Sequence, residues 1–364
     1  RPNLNGETPE MQTAAPTPLD VTPRQLAALV QHHLASDVPL FIIGDPGLGK
    51  TQIVRAEIEK AGRQYCDFRA SILDLPDLQG YPITRDMRIG EPCPMTAAPG
   101  LPPPQSPEAW GIVFEELTGA SRMMQGALYG TILERNGLPE NNRVFATGNP
   151  ASARGVTVEM PTPMRTRFSW CRLILCPDEV LAYAHANDWH SFITAYHTMT
   201  KGTDWSSFDP KSQEETYACP RSWEDVSRKL HAGAIPADLL TPMIAGSIGY
   251  GIGQKFASFV RLYSDLAPTV SAMRAAPETC PIPDDSAARW FLAATTAAAK
   301  AEAQTDPAAF ARWAIPFLCR LGDELCVFSM NAVTRHTPQL GRTAEFISHF
   351  ATNPRFAALA QFCK

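Results

Sequence analysis

Residues Gly44-Asp45-Pro46-Gly47-Leu48-Gly49-Lys50-Thr51 combine three glycines, a lysine and a hydroxyl at the spacing of a phosphate-binding loop. Gly44, Gly47 and Gly49 allow backbone N–H groups to turn toward phosphate oxygens. Lys50 adds a charge near the terminal phosphates, and the Thr51 hydroxyl can ligate Mg²⁺. The apolar stretch from Val38 to Ile43 precedes the loop and a helical pattern follows it, which is the setting such a loop needs. The chain is therefore expected to bind ATP or GTP.

Hydrolysis requires more than a phosphate loop. Trp110-Gly-Ile-Val-Phe-Glu115-Glu116 is an apolar strand that ends in two acids. The first acid could hold Mg²⁺ through water and the second could polarise the attacking water. Two solvated acids at a strand end would leave the same pattern. Arg143-Val-Phe-Ala-Thr-Gly-Asn149 closes a second apolar strand on an amide that could hydrogen-bond both that water and a phosphate. Placed before Pro150, Asn149 also suits a simple turn.

These groups need a scaffold that holds them at strand ends. Thr22-Pro23-Arg24-Gln25 reads as a capping box, and Leu26, Leu29, Val30 and Leu34 then fall on one helical face. Strands are expected over 38–43, 64–70, 111–116, 143–147 and 169–176, with helices over 50–61 and 120–135. Strands alternating with helices predict an α/β fold, a parallel αβα sheet of the P-loop NTPase kind. Eight prolines between Pro82 and Pro107 exclude a regular element there and predict a long surface loop. Beyond Pro177 the strand signals stop. Helical patterns at 178–187, 222–231, 254–266, 285–303 and 307–321 predict an all-helical second half. A flexible leader is expected at 1–20 and a nucleotide-binding domain at 21–177.

Composition narrows the function classes. The 364 residues are 45% hydrophobic, enough for two or three domains with a sizeable core. A net charge of −5 gives no global basic field, so nucleic acid is not the expected partner. No apolar run reaches the roughly 18 residues of a membrane span, so no membrane insertion is expected. The nine cysteines lack a CxxC pair, which argues against a disulfide framework or a zinc site and for a reducing cytoplasm. His32, His33, His185 and His190 have no Cys or acid at metal-ligand spacing and read as solvated or core residues. Cys171 and Cys176 read as small core residues, and Trp290, Phe291, Trp313 and Phe317 as helix-packing faces.

The order of these parts resembles that of AAA+ ATPases of the MoxR branch, which includes CbbQ/NorQ-like activators and relatives encoded beside von Willebrand factor A domain proteins. The resemblance rests on the phosphate loop, on Ile112-Val-Phe-Glu115-Glu116 and on Asn149, then on Pro161-Thr-Pro-Met-Arg165-Thr-Arg167-Phe168 and Pro220-Arg221-Ser222-Trp223. It covers about 26–266 well and the remaining helices loosely, and it implies a helical lid at 178–270 and a C-terminal all-helical extension at 271–364. It implies that Lys50 and Thr51 form Walker A, Glu115 and Glu116 Walker B, Asn149 sensor 1 and Arg221 sensor 2. Arg167 matches the arginine finger, with Arg165 as the reserve candidate. An arginine so placed cannot readily reach its own subunit's phosphates, so hydrolysis would require a ring, expected to be a hexamer.

Two further stretches match the branch. Ser71-Ile-Leu-Asp74-Leu-Pro-Asp77-Leu-Gln-Gly80 resembles its acid-rich segment after the second strand. Asn136-Gly137 falls where these proteins carry a hairpin before sensor 1. One departure stands out: the first Walker B acid, usually Asp, is Glu115, longer by a methylene, and Mg²⁺ tolerates little change in geometry.

The resulting expectation is ATP and Mg²⁺ binding, with ATP hydrolysis coupled to remodelling or activation of a protein client, and with a von Willebrand factor A domain partner. Two rivals stay open. A nucleic-acid motor subunit is disfavoured by the acidic charge balance, and a noncatalytic nucleotide-switched scaffold is allowed by Glu115.

Overall fold

The computed structural model of the chain describes residues 19–84, 93, 95–150, 158, 160–233, 235–264, 267–351, 353–356, 359 and 362. Residues 1–18 of the expected leader, and 85–92 and 94 of the proline-rich stretch, lie outside these. The chain forms two units, one made of residues up to Asp45 together with Lys50–Ile174, the other of Pro46–Gly49 together with Leu175–Lys364.

The first unit holds a six-stranded sheet: β1 (Asp20–Val21), β2 (Leu40–Gly44), β3 (Gln64–Arg69), β4 (Trp110–Glu115), β5 (Asn142–Gly148) and β6 (Ser169–Leu173). All neighbours pair in parallel, in the order β1-β6-β2-β5-β4-β3. The helices of this unit are α1 (Pro23–Ser36), α2 (Lys50–Lys60), α3 (Leu75–Gln79), α4 (Arg122–Leu133) and α5 (Thr162–Arg165). The α/β fold with a parallel sheet is thus the one the sequence predicts.

Local chemistry explains the elements. Gln25 N–H donates to Thr22 Oγ1 at 3.4 Å while Thr22 N–H donates to Gln25 Oε1 at 2.9 Å, so the expected capping box starts α1. Leu26, Val30 and Leu34 then recur every four residues on its buried face. Strand β2 buries Leu40, Phe41 and Ile42 without alternation, as a central parallel strand covered on both faces must. Strand β3 lies at the sheet edge and buries only Phe68 fully.

Several boundaries differ from the sequence expectation. Asp20, read as the end of the leader, pairs with Arg172 as part of β1. The strand expected to run to Cys176 ends at Leu173, because Pro177 opens the next helix. No hairpin is built on Asn136-Gly137: α4 ends at Leu133, and Leu138 N–H closes a turn onto Arg135 O before β5. A hairpin needs two strands to join, and here a helix precedes the turn. In the described part of the proline-rich stretch the one pairing is an isolated bridge between Pro82 and Met95, while Leu101 packs into the sheet's core.

Among the described residues of the second unit every regular element is helical. These are α6 (Pro177–Ala186), α7 (Ser191–Met199), α8 (Pro220–His231), α9 (Ala237–Ile248), α10 (Tyr250–Ser264), α11 (Ala267–Ala275), α12 (Ser286–Ala298), α13 (Lys300–Thr305), α14 (Pro307–Leu321), α15 (Asp323–His336) and α16 (Ala344–Phe350). One apolar core runs from Val180 to Leu359, and Phe291, Trp313 and Phe317 lie in it as expected. The sequence patterns do not mark helices α7, α9, α11, α15 and α16. Pro242 within α9 and the short length of α16 weaken their periodic signal.

Two histidines make this unit acid-sensitive. His190 caps α7 through Nδ1, which accepts Phe192 N–H at 3.3 Å, and its ring lies 4.9 Å from that of His231. Burial, then the charge of His231, push His190 down to about 4. His197 is also held well below the usual range by burial, stacked on Trp205. In the unfolded chain both would titrate near 6.5. The neutral rings therefore favour the folded state fully above about pH 6.5, and stability falls as pH drops from there toward about 4. For His190 alone the loss is of order 3 kcal/mol. Urea midpoints measured between pH 7.5 and 4.5 should fall, and His190→Gln should flatten part of that slope.

Candidate functional site

A fully parallel sheet sends the C-terminal ends of its strands to one edge, where ligands of open α/β sheets bind. In the first unit, that edge carries Gly44 and Asp45 after β2, Asn149 after β5 and Glu115 and Glu116 at the end of β4. The strand order seats β5 between β2 and β4, so Asn149 follows the strand paired directly with the one leading into the phosphate loop.

Lys50 Nζ donates to Gly44 O at 2.6 Å, to Asp45 O at 3.0 Å and to Asn149 Oδ1 at 3.3 Å. The ammonium thus folds back over its own loop and reaches the amide ending β5. Asn149 is itself held by Thr118: its N–H donates to Thr118 Oγ1 at 3.0 Å, and that hydroxyl donates to Asn149 O at 3.4 Å. Burial raises the Asp45 carboxyl above its ordinary value, with Lys50 and Arg172 opposing the shift.

The two acids at the end of β4 differ in setting. Glu115 is largely buried, its side chain 13% exposed; Tyr65 OH donates to Oε1 at 3.4 Å and Arg69 Nε lies 3.9 Å from Oε2. Burial, together with the Glu115 charge, pushes the Tyr65 hydroxyl pKa well up, so Tyr65 stays a donor. Glu116 is exposed, with φ of 53° in the left-handed region, a conformation that costs a non-glycine residue about 1 kcal/mol or more. Its N–H donates to Thr147 Oγ1 at 3.2 Å, and its Oε2 accepts from Ser71 Oγ at 2.7 Å. The strained turn therefore aims consecutive carboxylates differently, one tied to β3 and one open to solvent.

Thr118, Thr147, Ser71 and Tyr65 were not singled out by sequence reasoning. A lone hydroxyl carries no motif, and only strand pairing reveals which carboxylate it faces.

In the loop between β2 and α2, two of its glycines take left-handed backbone. Gly47 and Gly49 have φ of 82° and 87°, open to glycine at little cost. Among the described residues, the N–H groups of Gly47, Leu48 and Gly49 donate to no backbone carbonyl. Thr51 stands half-buried in the first turn of α2.

Within the second unit, Gly47 lies against the start of α8. Arg221 N–H donates to Gly47 O at 3.3 Å, and a Cβ on Gly47 would come within 2.3 Å of Cys219 Sγ. Arg221 itself is exposed. Ser222 occupies the third position of this helix: α8 begins at Pro220, and Cys219 N–H donates back to Ser222 Oγ at 2.9 Å. Pro at the first helical position carries no N–H to lose, which allows this start.

Arg165 and Arg167 lie elsewhere. They precede β6, which begins at Ser169 opposite Leu40, so both sit at the N-terminal edge of the sheet. Four residue steps along β2 separate Leu40 at that edge from Gly44, about 13 Å at strand rise. Arg165 Nε donates to Met160 O at 3.1 Å, whereas the exposed Arg167 side chain makes no hydrogen bond or ion pair among the described residues.

Within the first unit, the Lys50 ammonium and the N-terminus of α2 offer positive charge that suits the phosphates of a nucleoside triphosphate. Among the described residues no three His, Cys, Asp or Glu side chains could together hold a metal ion. Thr51 and Glu115 are the residues that would hold a Mg²⁺, an ion that keeps several of its waters and would need no such cage. Also among the described residues, no helix is long and apolar enough to cross a membrane.

No protein-family model matches the chain, and no curated protein matches it. Solved structures similar to it include a Cytophaga hutchinsonii protein provisionally described as an ATPase, at 14% identity and a TM-score of 0.33 over 76% of this chain and 74% of that one. NtrX from Brucella abortus shares 13% identity, with a TM-score of 0.39 over 82% of this chain and 68% of that one. NtrX in complex with ADP shares 11%, with a TM-score of 0.32 over 67% of each chain. Likeness this distant carries no function across.

Proposed function

We propose that the chain is a AAA+ ATPase of the MoxR branch, which binds ATP with Mg²⁺ and hydrolyses it in a ring of like subunits, expected to be a hexamer. The observation that carries this reading is the convergence of Lys50, Asn149 and the β4 acids at one sheet edge, with Lys50 Nζ 3.3 Å from Asn149 Oδ1. Lys50 and the loop amides bind the phosphates. Asn149 orients the attacking water, and Glu116, free to reach solvent, takes its proton. Mg²⁺, when bound, neutralises phosphate charge; Thr51 and Glu115 are the residues that would hold it. Arg221 is assigned to the nucleotide as sensor 2, and Arg167 to the site of a neighbouring subunit.

Residues 178–270 are assigned as the lid and 271–364 as an extension. Turnover would remodel or activate a protein client, with a von Willebrand factor A domain protein as the partner, an assignment that rests on the motif order alone. A nucleic-acid motor would show ATPase stimulation by DNA, which is not expected here.

Lys50→Ala tests the central claim. Losing the ammonium removes a charge-assisted contact to phosphate, so ATP affinity should fall at least tenfold while the far-ultraviolet spectrum is unchanged. Unchanged affinity in a titration would overturn the assignment. The noncatalytic reading has one observation in its favour: Glu115 is already engaged by Tyr65 and Arg69. Steady-state phosphate release from the assembled protein decides between the two.

A further inference from the structure

The helices α14 and α15 are joined through Gly322, whose φ of 125° reverses the chain. Seven residues apart on a continuous helix, Cys319 and Cys326 would be separated by about 10.5 Å along its axis. The reversal instead brings their sulfurs to 3.7 Å. Cys326 is buried and Cys319 partly exposed, so one thiol is reachable from solvent and the second waits behind it. Neither has any part in the nucleotide chemistry proposed above.

We propose that Cys319 and Cys326 form a reversible redox modification site, closed to a disulfide by a small-molecule disulfide such as glutathione disulfide. A bond of about 2.05 Å requires the sulfurs, 3.7 Å apart, to close by roughly 1.6 Å. Cys319 is the attacking group. The hydrogen bond from Cys326 lowers its pKa, and its exposure admits the oxidant. Its thiolate attacks one sulfur of glutathione disulfide, breaking that S–S bond and releasing one glutathione thiolate. Cys326 then gives up its proton, and its sulfur attacks the Cys319 sulfur and expels the second glutathione. Two protein thiols are oxidised to one disulfide, and one glutathione disulfide is reduced to two thiols.

Closure would pin α14 to α15 across Gly322. Arg320 lies inside the closed loop and donates to Pro277 O at 2.7 Å and Cys280 O at 2.8 Å, so the pinned hairpin also carries the segment before α12.

The test uses the full native chain, equilibrated with glutathione disulfide, alkylated and digested with trypsin without reduction. Cleavage after Arg320 separates the two cysteines, so the peptides Trp313–Arg320 and Leu321–Arg335 should stay joined. Their joint mass should be about 2 Da below the sum, and reduction should release both. In Cys326→Ala the resolving thiol is gone, and a stable glutathione adduct should collect on Cys319. The wild-type measurement needs no variant, so a poorly folding Cys326→Ala leaves the test intact. The proposal is overturned if both peptides remain alkylated while other cysteines oxidise, or if Cys319 joins another cysteine, such as Cys280, in preference.

Discussion

Replacing Arg167 by Ala should reduce ATP turnover by about a thousandfold while ATP binding to the isolated subunit stays within about twofold, because an arginine supplied by a neighbour stabilises charge only in the transition state. The geometry explains why binding is spared. Arg167 precedes β6 at the N-terminal edge of the sheet, and Lys50 follows the C-terminal end of β2, so one subunit's own arginine stands a strand's length from its own phosphate loop. Its side chain is exposed and untethered among the described residues, whereas Arg165 is held by Met160 O. Mixing separates a transferred role from a local one. Rings combining Arg167→Ala with Lys50→Ala subunits should regain part of their hydrolysis, since an intact loop on one can face an intact arginine on the next. Absence of recovery in rings shown by mass to contain both would move the role to Arg165.

Glu116→Gln should retain ATP and lose turnover by roughly a hundredfold or more, the scale expected when a general base is removed. The amide keeps the shape of the side chain and can still meet Ser71 Oγ, so the left-handed turn at residue 116 should survive. Single-turnover phosphate release would read the effect directly, and a parent-like rate would shift the role to Glu115. The comparison with Glu115→Asp is informative because Tyr65 OH and Arg69 engage that longer carboxylate. Shortening it draws the oxygens away from β3, and turnover equal to or faster than the parent would show that the extra methylene is merely tolerated.

The elements whose signals are contiguous in the chain were legible. The capping box at Thr22, the loop from Gly44 to Thr51 and the apolar runs ending in Glu115-Glu116 and Asn149 each draw on neighbours a few residues away, and each stands where the sequence places it. Where a local pattern fitted two backbones, the sequence misled. Asn136-Gly137 suits a hairpin as well as the turn that follows α4.

Local preference is decided by the backbone conformations open to a residue and its neighbours, so sequence alone determined that the chain has a glycine-rich loop between strand and helix, and acids at the end of another strand. Which strand lies beside which is decided by burial and pairing across long loops. Only the tertiary structure could seat β5 beside β2, so that Lys50 meets Asn149 across 99 residues, or give Glu116 a partner in Ser71. The same holds for Cys319 and Cys326, whose spacing on one helix would keep them apart and which are neighbours because Gly322 turns the chain between them.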